Sequence, residues 1–110
     1  MGAICTGGST VCLKCFTYDP WPIVVLGSLP DLGKWDPIGA LPMQLEKQLN
    51  DLHEWRISFH CPARRQFEFK FAAITECGTL WEAGENRSCW PDEEWVEMAD
   101  VFRMYSGSHV

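Results

Sequence analysis

The chain has 110 residues, of which 46% are hydrophobic and 13% aromatic, and its 15 acidic and 9 basic side chains give a formal net charge of −6. This length predicts one domain over residues 1–110 with its own hydrophobic core, and it leaves no room for an enzyme-sized cleft beside that core. The negative charge argues against nucleic acid and anionic membranes as partners, because both repel an acidic surface, whereas a neutral polyol is not repelled.

The first half of the chain consists of short strand-like segments separated by turn residues. Strands are predicted over residues 10–18 and 21–28. Residues 29–41 are predicted to be a loop without a strand or a helix, because prolines and glycines interrupt them throughout. A weak strand follows over residues 43–47. No segment has the 3.6-residue period of a long amphipathic helix.

The second half alternates apolar and polar residues more clearly. Residues 54–60 carry aromatic or aliphatic side chains at every second position, and residues 66–74 repeat the pattern with three phenylalanines, which leaves Lys70 facing solvent. Further strands are predicted over residues 79–82 and 94–105. Seven to eight short strands predict an all-β fold, either an antiparallel immunoglobulin-like β-sandwich or an open, distorted barrel.

Tryptophan is unusually frequent, since six tryptophans and six phenylalanines exceed what the core of so short a chain needs. Trp35 stands in the predicted loop and Trp81 in a short strand, where strand packing does not require them. A rigid exposed ring is typical of a recognition surface. Trp55 shares a strand face with Ile57 and Phe59 and is predicted to lie in the core. The remaining tryptophans receive no role beyond core or sheet edge: Trp21, Trp90 and Trp95.

Several ordered motifs resemble those of a known family. They are Leu26-Gly27-Ser28, Leu32-Gly33-Lys34-Trp35-Asp36, the strand residue Trp55, Phe67-Glu68-Phe69-Lys70-Phe71, and Trp81-Glu82 followed by Asn86-Arg87. In this order and spacing they resemble the starch-binding domain, carbohydrate-binding module family 20, over residues 21–90. The resemblance implies a non-catalytic module that binds α-1,4-glucan, such as starch, glycogen, maltooligosaccharides or cyclodextrin, and that targets an attached enzyme to it.

The resemblance also implies the residues of a glucan site, without catalytic residues, metal or cofactor. Trp35 and Trp81 are expected to stack on sugar rings, with Lys70 and Asn86 as hydrogen-bonding partners and Glu82 as a further candidate. The chemistry suits these residue types, because a pyranose packs its C–H face on an indole while its hydroxyls need polar partners at the rim. Two indoles at an angle match a curved α-1,4 chain better than a flat ribbon.

Family members often carry a second glucan site built on two tyrosines. The corresponding positions here hold Val24 and Arg56, so a second site is expected to be weak, rebuilt or absent. The resemblance further implies a monomeric module of a larger phosphatase, dikinase, glucanotransferase or amylase. Because no secretion signal is visible, an intracellular location in cytoplasm or plastid is expected, with the six cysteines mostly reduced and partly buried.

A function of another class is a small cysteine- or zinc-dependent enzyme that uses Cys61 or the pair Cys12 and Cys15. The segment around Cys61 is superficially similar to a cysteine phosphatase signature, but the required arginine position holds Phe67 and Pro62 lacks an amide donor. Cys12 and Cys15 have the spacing of half a zinc knuckle, yet an extended strand places them on opposite faces. A protein-binding scaffold is a third possibility.

Overall fold

The computed structural model describes residues 8–62 and 64–104, and in these it forms nine β-strands in two open sheets. One sheet has four strands in the order β4-β5-β1-β9. The other has five, in the order β3-β2-β6-β7, with β8 also paired to β6. The strands are β1 (Ser9–Thr17), β2 (Ile23–Gly27), β3 (Leu41–Pro42), β4 (Gln44–Leu49), β5 (Leu52–Cys61), β6 (Phe67–Thr75), β7 (Gly78–Trp81), β8 (Arg87–Cys89) and β9 (Trp95–Val101). The predicted all-β sandwich is confirmed, and the sheets do not close into a barrel.

The core lies between the two sheets, where strand alternation predicted it. Phe67, Phe69 and Phe71 of β6 are each at most 2% exposed, and they share one buried cluster with residues of β1 and β5 in the other sheet. Trp55 is 7% exposed, and its indole Nε1 donates a hydrogen bond to Thr17 Oγ1 at 3.1 Å. The predicted core role of Trp55 is therefore confirmed, and its one polar atom is satisfied.

Two parts of the fold differ from the predictions. The prediction of antiparallel pairing is wrong for β1 and β9, which run parallel from Thr10↔Trp95 to Phe16↔Val101. The reason is that residues 90–94 carry the chain from β8 in one sheet to the edge of the other sheet. The loop over residues 29–41 also contains two 3-10 helices, Pro30–Trp35 and Pro37–Gly39. Each begins at a proline, which is tolerated there because a first helical residue needs no amide donor.

Five cysteines are free thiols in the described residues. Cys12, Cys15, Cys61 and Cys89 are buried and Cys77 is exposed, whereas Cys5 lies outside the described residues. Burial raises the pKa of the Cys89 thiol to about 11 and raises the pKa of Cys15 as well, so both stay protonated at neutral pH. Within residues 8–62 and 64–104, no helix has the length and hydropathy that a membrane span requires.

Candidate functional site

The outer face of the five-stranded sheet carries a small apolar cluster that is separate from the main core. Val24 and Leu26 of β2 and Ala72 of β6 form it, and Trp35 and Trp81 pack on top. Strand register explains the arrangement, because Ala72 pairs with Val24 on one side and with Trp81 on the other. Two tryptophans that are distant in the sequence thus meet on one patch.

The two indoles form a tilted pair. The ring centroids of Trp35 and Trp81 are 6.5 Å apart, and the ring planes make an angle of 39°. Both side chains are partly exposed, so they are anchored from below by the apolar cluster and remain open to solvent. The pair therefore presents two differently oriented aromatic faces side by side.

The loop that carries Trp35 has a strained backbone. Gly33, Lys34 and Trp35 have positive φ angles of 78°, 49° and 70°, which glycine adopts easily and bulkier residues do not. The loop is held by its own hydrogen bonds: the Asp36 amide donates to the Gly33 carbonyl at 2.9 Å, and the Ile38 amide donates to Asp36 Oδ1 at 3.0 Å. Strain of this kind concentrates at functional sites, where the surrounding structure maintains it.

Gly33→Ala is expected to displace Trp35 from Trp81. A Cβ at position 33 would lie 2.6 Å from the carbonyl carbon of Gly39, and the residue would keep an unfavourable φ. The variant should lose about 1–3 kcal/mol of unfolding free energy, together with the exciton-coupled circular dichroism of the indole pair. Gly78→Ala is the control, because its φ is also positive but a Cβ there meets nothing within 4 Å. An unchanged exciton signal in Gly33→Ala would contradict the prediction.

Polar side chains lie beside the tryptophan pair on the same sheet face. The ammonium group of Lys70 donates to the backbone carbonyl of Glu82 at 3.2 Å. The amide Nδ2 of Asn86 donates to Glu68 Oε1 at 3.0 Å. Lys70 therefore faces outward, as strand alternation predicted. Asn86 is hydrogen-bonded to Glu68, which lies on the same outward face of β6 as Lys70. Glu68 was not predicted as a site residue, although the alternation that places Lys70 outward applies equally to Glu68.

Glu82 is the predicted site residue that the structure contradicts. Its side chain is 0% exposed and accepts hydrogen bonds from the Phe71 amide at 3.1 Å, from Arg87 Nε at 2.8 Å and from Arg103 Nε at 3.2 Å. The prediction that Glu82 binds sugar is wrong, because alternation turns the residue after Trp81 inward. Both oxygens of its carboxylate already accept hydrogen bonds from the protein, so neither is available to a ligand. Burial alone would raise the pKa of Glu82, but the arginine hydrogen bonds outweigh burial and hold that pKa below its ordinary value.

The buried carboxylate organises the segment between Trp81 and Asn86. Arg87 also donates to Asp100 Oδ2 at 2.8 Å, and Arg103 donates to the Glu85 carbonyl at 2.7 Å. The Ala83 amide donates to the Arg103 carbonyl at 2.8 Å. Hydrogen bonds on the inner side of the sheet therefore connect residues 82–86 and Arg87 to β9 and to the residues that follow β9. This support fixes the position of Asn86 relative to Trp81.

The two positions expected to mark a second site do not lie together. Val24 is part of the apolar cluster beneath Trp35 and Trp81. Arg56 lies in the other sheet, where its Nε donates to Cys12 Sγ at 3.1 Å. The two positions therefore belong to different sheets and share no surface, and a weak, rebuilt or absent second site stays a prediction.

The cysteines of the alternative enzyme are not accessible. Cys61 is 1% exposed, and Cys12 and Cys15 are both 0% exposed. Cys15 belongs to the core cluster while Cys12 contacts Arg56 on the opposite face of β1, so the two thiols do not converge. In the described ranges, no group of three or more histidine, cysteine, aspartate or glutamate side chains is arranged to hold a metal ion.

A family model described as "Starch binding domain" matches residues 9–97. Glucoamylase-1 of Arthroderma benhamiae is 31% identical over 65 residues, which are 59% of this chain and 11% of that protein. The cyclomaltodextrin glucanotransferase of Niallia circulans is 29% identical over 66 residues, which are 60% of this chain and 9% of that protein. This chain is therefore similar to segments that make up about a tenth of these two relatives.

Solved structures show the same fold. The family 15 glucoamylase from Hypocrea jecorina superposes with a TM-score of 0.80 at 17% identity, over 89% of this chain and 18% of that chain. The γ-CGTase from the alkalophilic Bacillus clarkii superposes with a TM-score of 0.68 at 23% identity, over 87% of this chain and 15% of that chain. At these identities the likeness establishes the fold.

Proposed function

The chain belongs to the starch-binding domain family, whose members are non-catalytic modules for starch-type α-glucans, and we propose that it binds α-1,4-glucan through Trp35 and Trp81. The observation that supports this proposal best is the tilted indole pair, with centroids 6.5 Å apart and planes at 39°. Sugar rings stack by their C–H faces on indoles. The tilt suits successive glucose rings of a curved chain, whose faces are not coplanar.

The polar residues beside the pair supply the hydrogen bonds that glucose hydroxyls need. Lys70 and Asn86 donate, and the carboxylate of Glu68 accepts. The opposite charges of Lys70 and Glu68 offset each other on the outer face of β6, which suits a neutral ligand. These three residues and the two tryptophans therefore form the proposed site, and Glu82 supports it from below.

We further propose that residues 1–110 form a monomeric module of a larger glucan-active protein. The relatives it matches include a glucoamylase and a cyclomaltodextrin glucanotransferase, and the similar segment is about a tenth of each. Such a module would hold an attached enzyme close to its polysaccharide, which raises the local substrate concentration without lowering any barrier.

The proposal is tested by selectivity between α- and β-linked glucans. We expect maltoheptaose to quench tryptophan fluorescence saturably and cellohexaose to have no effect at equal concentration, because the tilted pair does not match a flat β-1,4 ribbon. Granular starch should pull down the protein. The variants Cys12→Ser and Cys61→Ser should bind like the unmodified chain, because neither thiol belongs to the proposed site. Equal quenching by both oligosaccharides, or by neither, would refute the proposed function.

A further inference from the structure

Trp90 is 67% exposed and directly follows Cys89, the last residue of β8. The pairing of β8 with β6 ends at Phe67↔Cys89, and Gln66 and Trp90 are the residues just beyond this last pair. Phe67 and Cys89 are buried at 2% and 1% exposure, whereas Gln66 and Trp90 are exposed. Ser88 is paired with the outward residue Glu68, and Cys89 after it is buried. Continued by one residue, this alternation turns Trp90 away from the core, to the side of Ser88 and Lys70.

The backbone of Trp90 is anchored on both sides. Its two chain neighbours, Cys89 and Pro91, are both buried, and the Asp92 amide donates to the Trp90 carbonyl at 2.8 Å. A single exposed aromatic residue is common on protein surfaces and by itself indicates nothing. An indole on an anchored backbone presents a large apolar area and has few side-chain torsions left to fix when it binds a ligand. Trp90 therefore suits the role of a stacking platform.

Trp81 and Trp90 lie along one line of the sheet. Strands β7 and β8 pair with the same edge of β6, and the segment between them carries Asn86. From Ala72, the partner of Trp81, to Phe67, the partner of Cys89, β6 advances five residues, or about 17 Å, and Trp90 follows Cys89 directly. That span accommodates several glucose units.

The surface between Trp81 and Trp90 is polar. Outward side chains along this span are Lys70 and Glu68 on β6, Ser88 on β8, and Ser28 after β2. Ser28 Oγ accepts a hydrogen bond from the Glu68 amide at 3.0 Å, and Glu68 accepts one from Asn86. Hydroxyl, amide and carboxylate groups in this arrangement match the hydroxyl groups along a polyol chain.

We propose that the outer face of the five-stranded sheet is one extended α-glucan site, in which Trp90 is a distal stacking platform that makes affinity depend on chain length. This inference rests on the proposed function, because the tryptophan pair is the proximal end of the site. A long linear chain reaches from Trp81 to Trp90. A cyclodextrin ring closed over the pair does not extend that far, so it does not contact Trp90.

The test compares two ligands, β-cyclodextrin and maltodecaose, by isothermal titration. Trp90→Ala should lower the affinity for maltodecaose about tenfold and leave the affinity for β-cyclodextrin unchanged, since one stacking contact is lost. Trp90→Phe should restore most of the maltodecaose affinity. The matched control is Trp95→Ala, whose indole is 50% exposed on the outer face of the other sheet; it should change neither affinity.

The outcomes separate this inference from the proposed function. If the unmodified chain binds neither ligand, both fail. If it binds both ligands and Trp90→Ala weakens neither, the extended site is wrong and the tryptophan-pair site stands. Equal weakening for both ligands also overturns the extended site, because it indicates a general disturbance. Denaturation midpoints of the variants should match that of the unmodified chain, since an exposed ring contributes little to the core.

Discussion

Replacing Trp35 or Trp81 with alanine should lower the affinity for maltoheptaose at least about thirtyfold, which corresponds to about 2 kcal/mol or more for each indole. Both rings contribute to a single tilted platform, so neither one alone reproduces the shape of the curved ligand. The apolar cluster beneath them is separate from the main core, and both variants should stay folded. Titration calorimetry measures the loss, and pull-down by granular starch provides a second readout.

Trp95→Ala serves as the control for these variants, because it removes an exposed indole from the other sheet. The double variant should lose less than the sum of the two single losses, since Trp35 and Trp81 contact each other and share one ligand. Full sedimentation of both single variants with starch would show that the pair is not the binding platform.

Glu82→Ala should cost about 3–5 kcal/mol of unfolding free energy, the range expected when one partner of a buried ion pair is removed. The side chain is 0% exposed, and its removal leaves Arg87 and Arg103 without their shared acceptor. The total free energy of unfolding of a small domain is about 5–15 kcal/mol, so a large share of the stability depends on one carboxylate. Urea denaturation at neutral pH measures the difference in midpoint.

Glu76→Ala is the matched control for the effect of Glu82→Ala on stability, because Glu76 is an exposed glutamate in the turn between β6 and β7. A surface substitution of this kind should change stability by less than about 0.5 kcal/mol. If Glu82→Ala were as stable as Glu76→Ala, the buried network would contribute nothing to folding. The maltoheptaose affinity of Glu82→Ala should also fall, because the segment from Trp81 to Asn86 loses its support.

The contribution of Glu82 should depend on pH in a defined direction. Hydrogen bonds from Arg87 and Arg103, which outweigh burial, hold its pKa below the ordinary value of 4.5. A carboxylate with a depressed pKa in the folded state stabilises the protein above its unfolded pKa, and that stabilisation is lost as pH falls through the folded pKa. The stability difference between the unmodified chain and Glu82→Ala should therefore be full above pH 4.5 and shrink in stronger acid. A constant difference down to pH 2 would contradict this.

Several features of the protein are determined locally and were predictable. Period-2 alternation identified the buried phenylalanines of β6 and the outward Lys70, because one face of the strand packs on the core and the other faces solvent. The same argument assigned Trp55 to the core. The family motifs identified Trp35 and Trp81 as exceptional, and the structure brings these two rings into contact.

Other features depend on contacts between distant parts of the chain, which no local pattern records. Glu82 is buried because Arg87 and Arg103 converge on it from separate segments, so the motif Trp81-Glu82 alone suggested a surface role. Burying a carboxylate is costly unless cations meet it, and only the packed chain shows that they do. The parallel pairing of β9 with β1 likewise follows from the path of residues 90–94 between the sheets.

The sequence by itself determined the all-β fold, the identity of its core aromatic residues and the two tryptophans that stand apart from the core, since all of these follow from local periodicity and short motifs. The choice between a sandwich and an open barrel required the structure, because it depends on which strands pair. Tertiary structure decided which outward residues share one face. Trp90 received no role from the sequence, and it lies in line with Trp81 only because β7 and β8 pair with the same edge of β6. Strand register is set by the packing of the whole sandwich, and for that reason the composition of this surface required the structure.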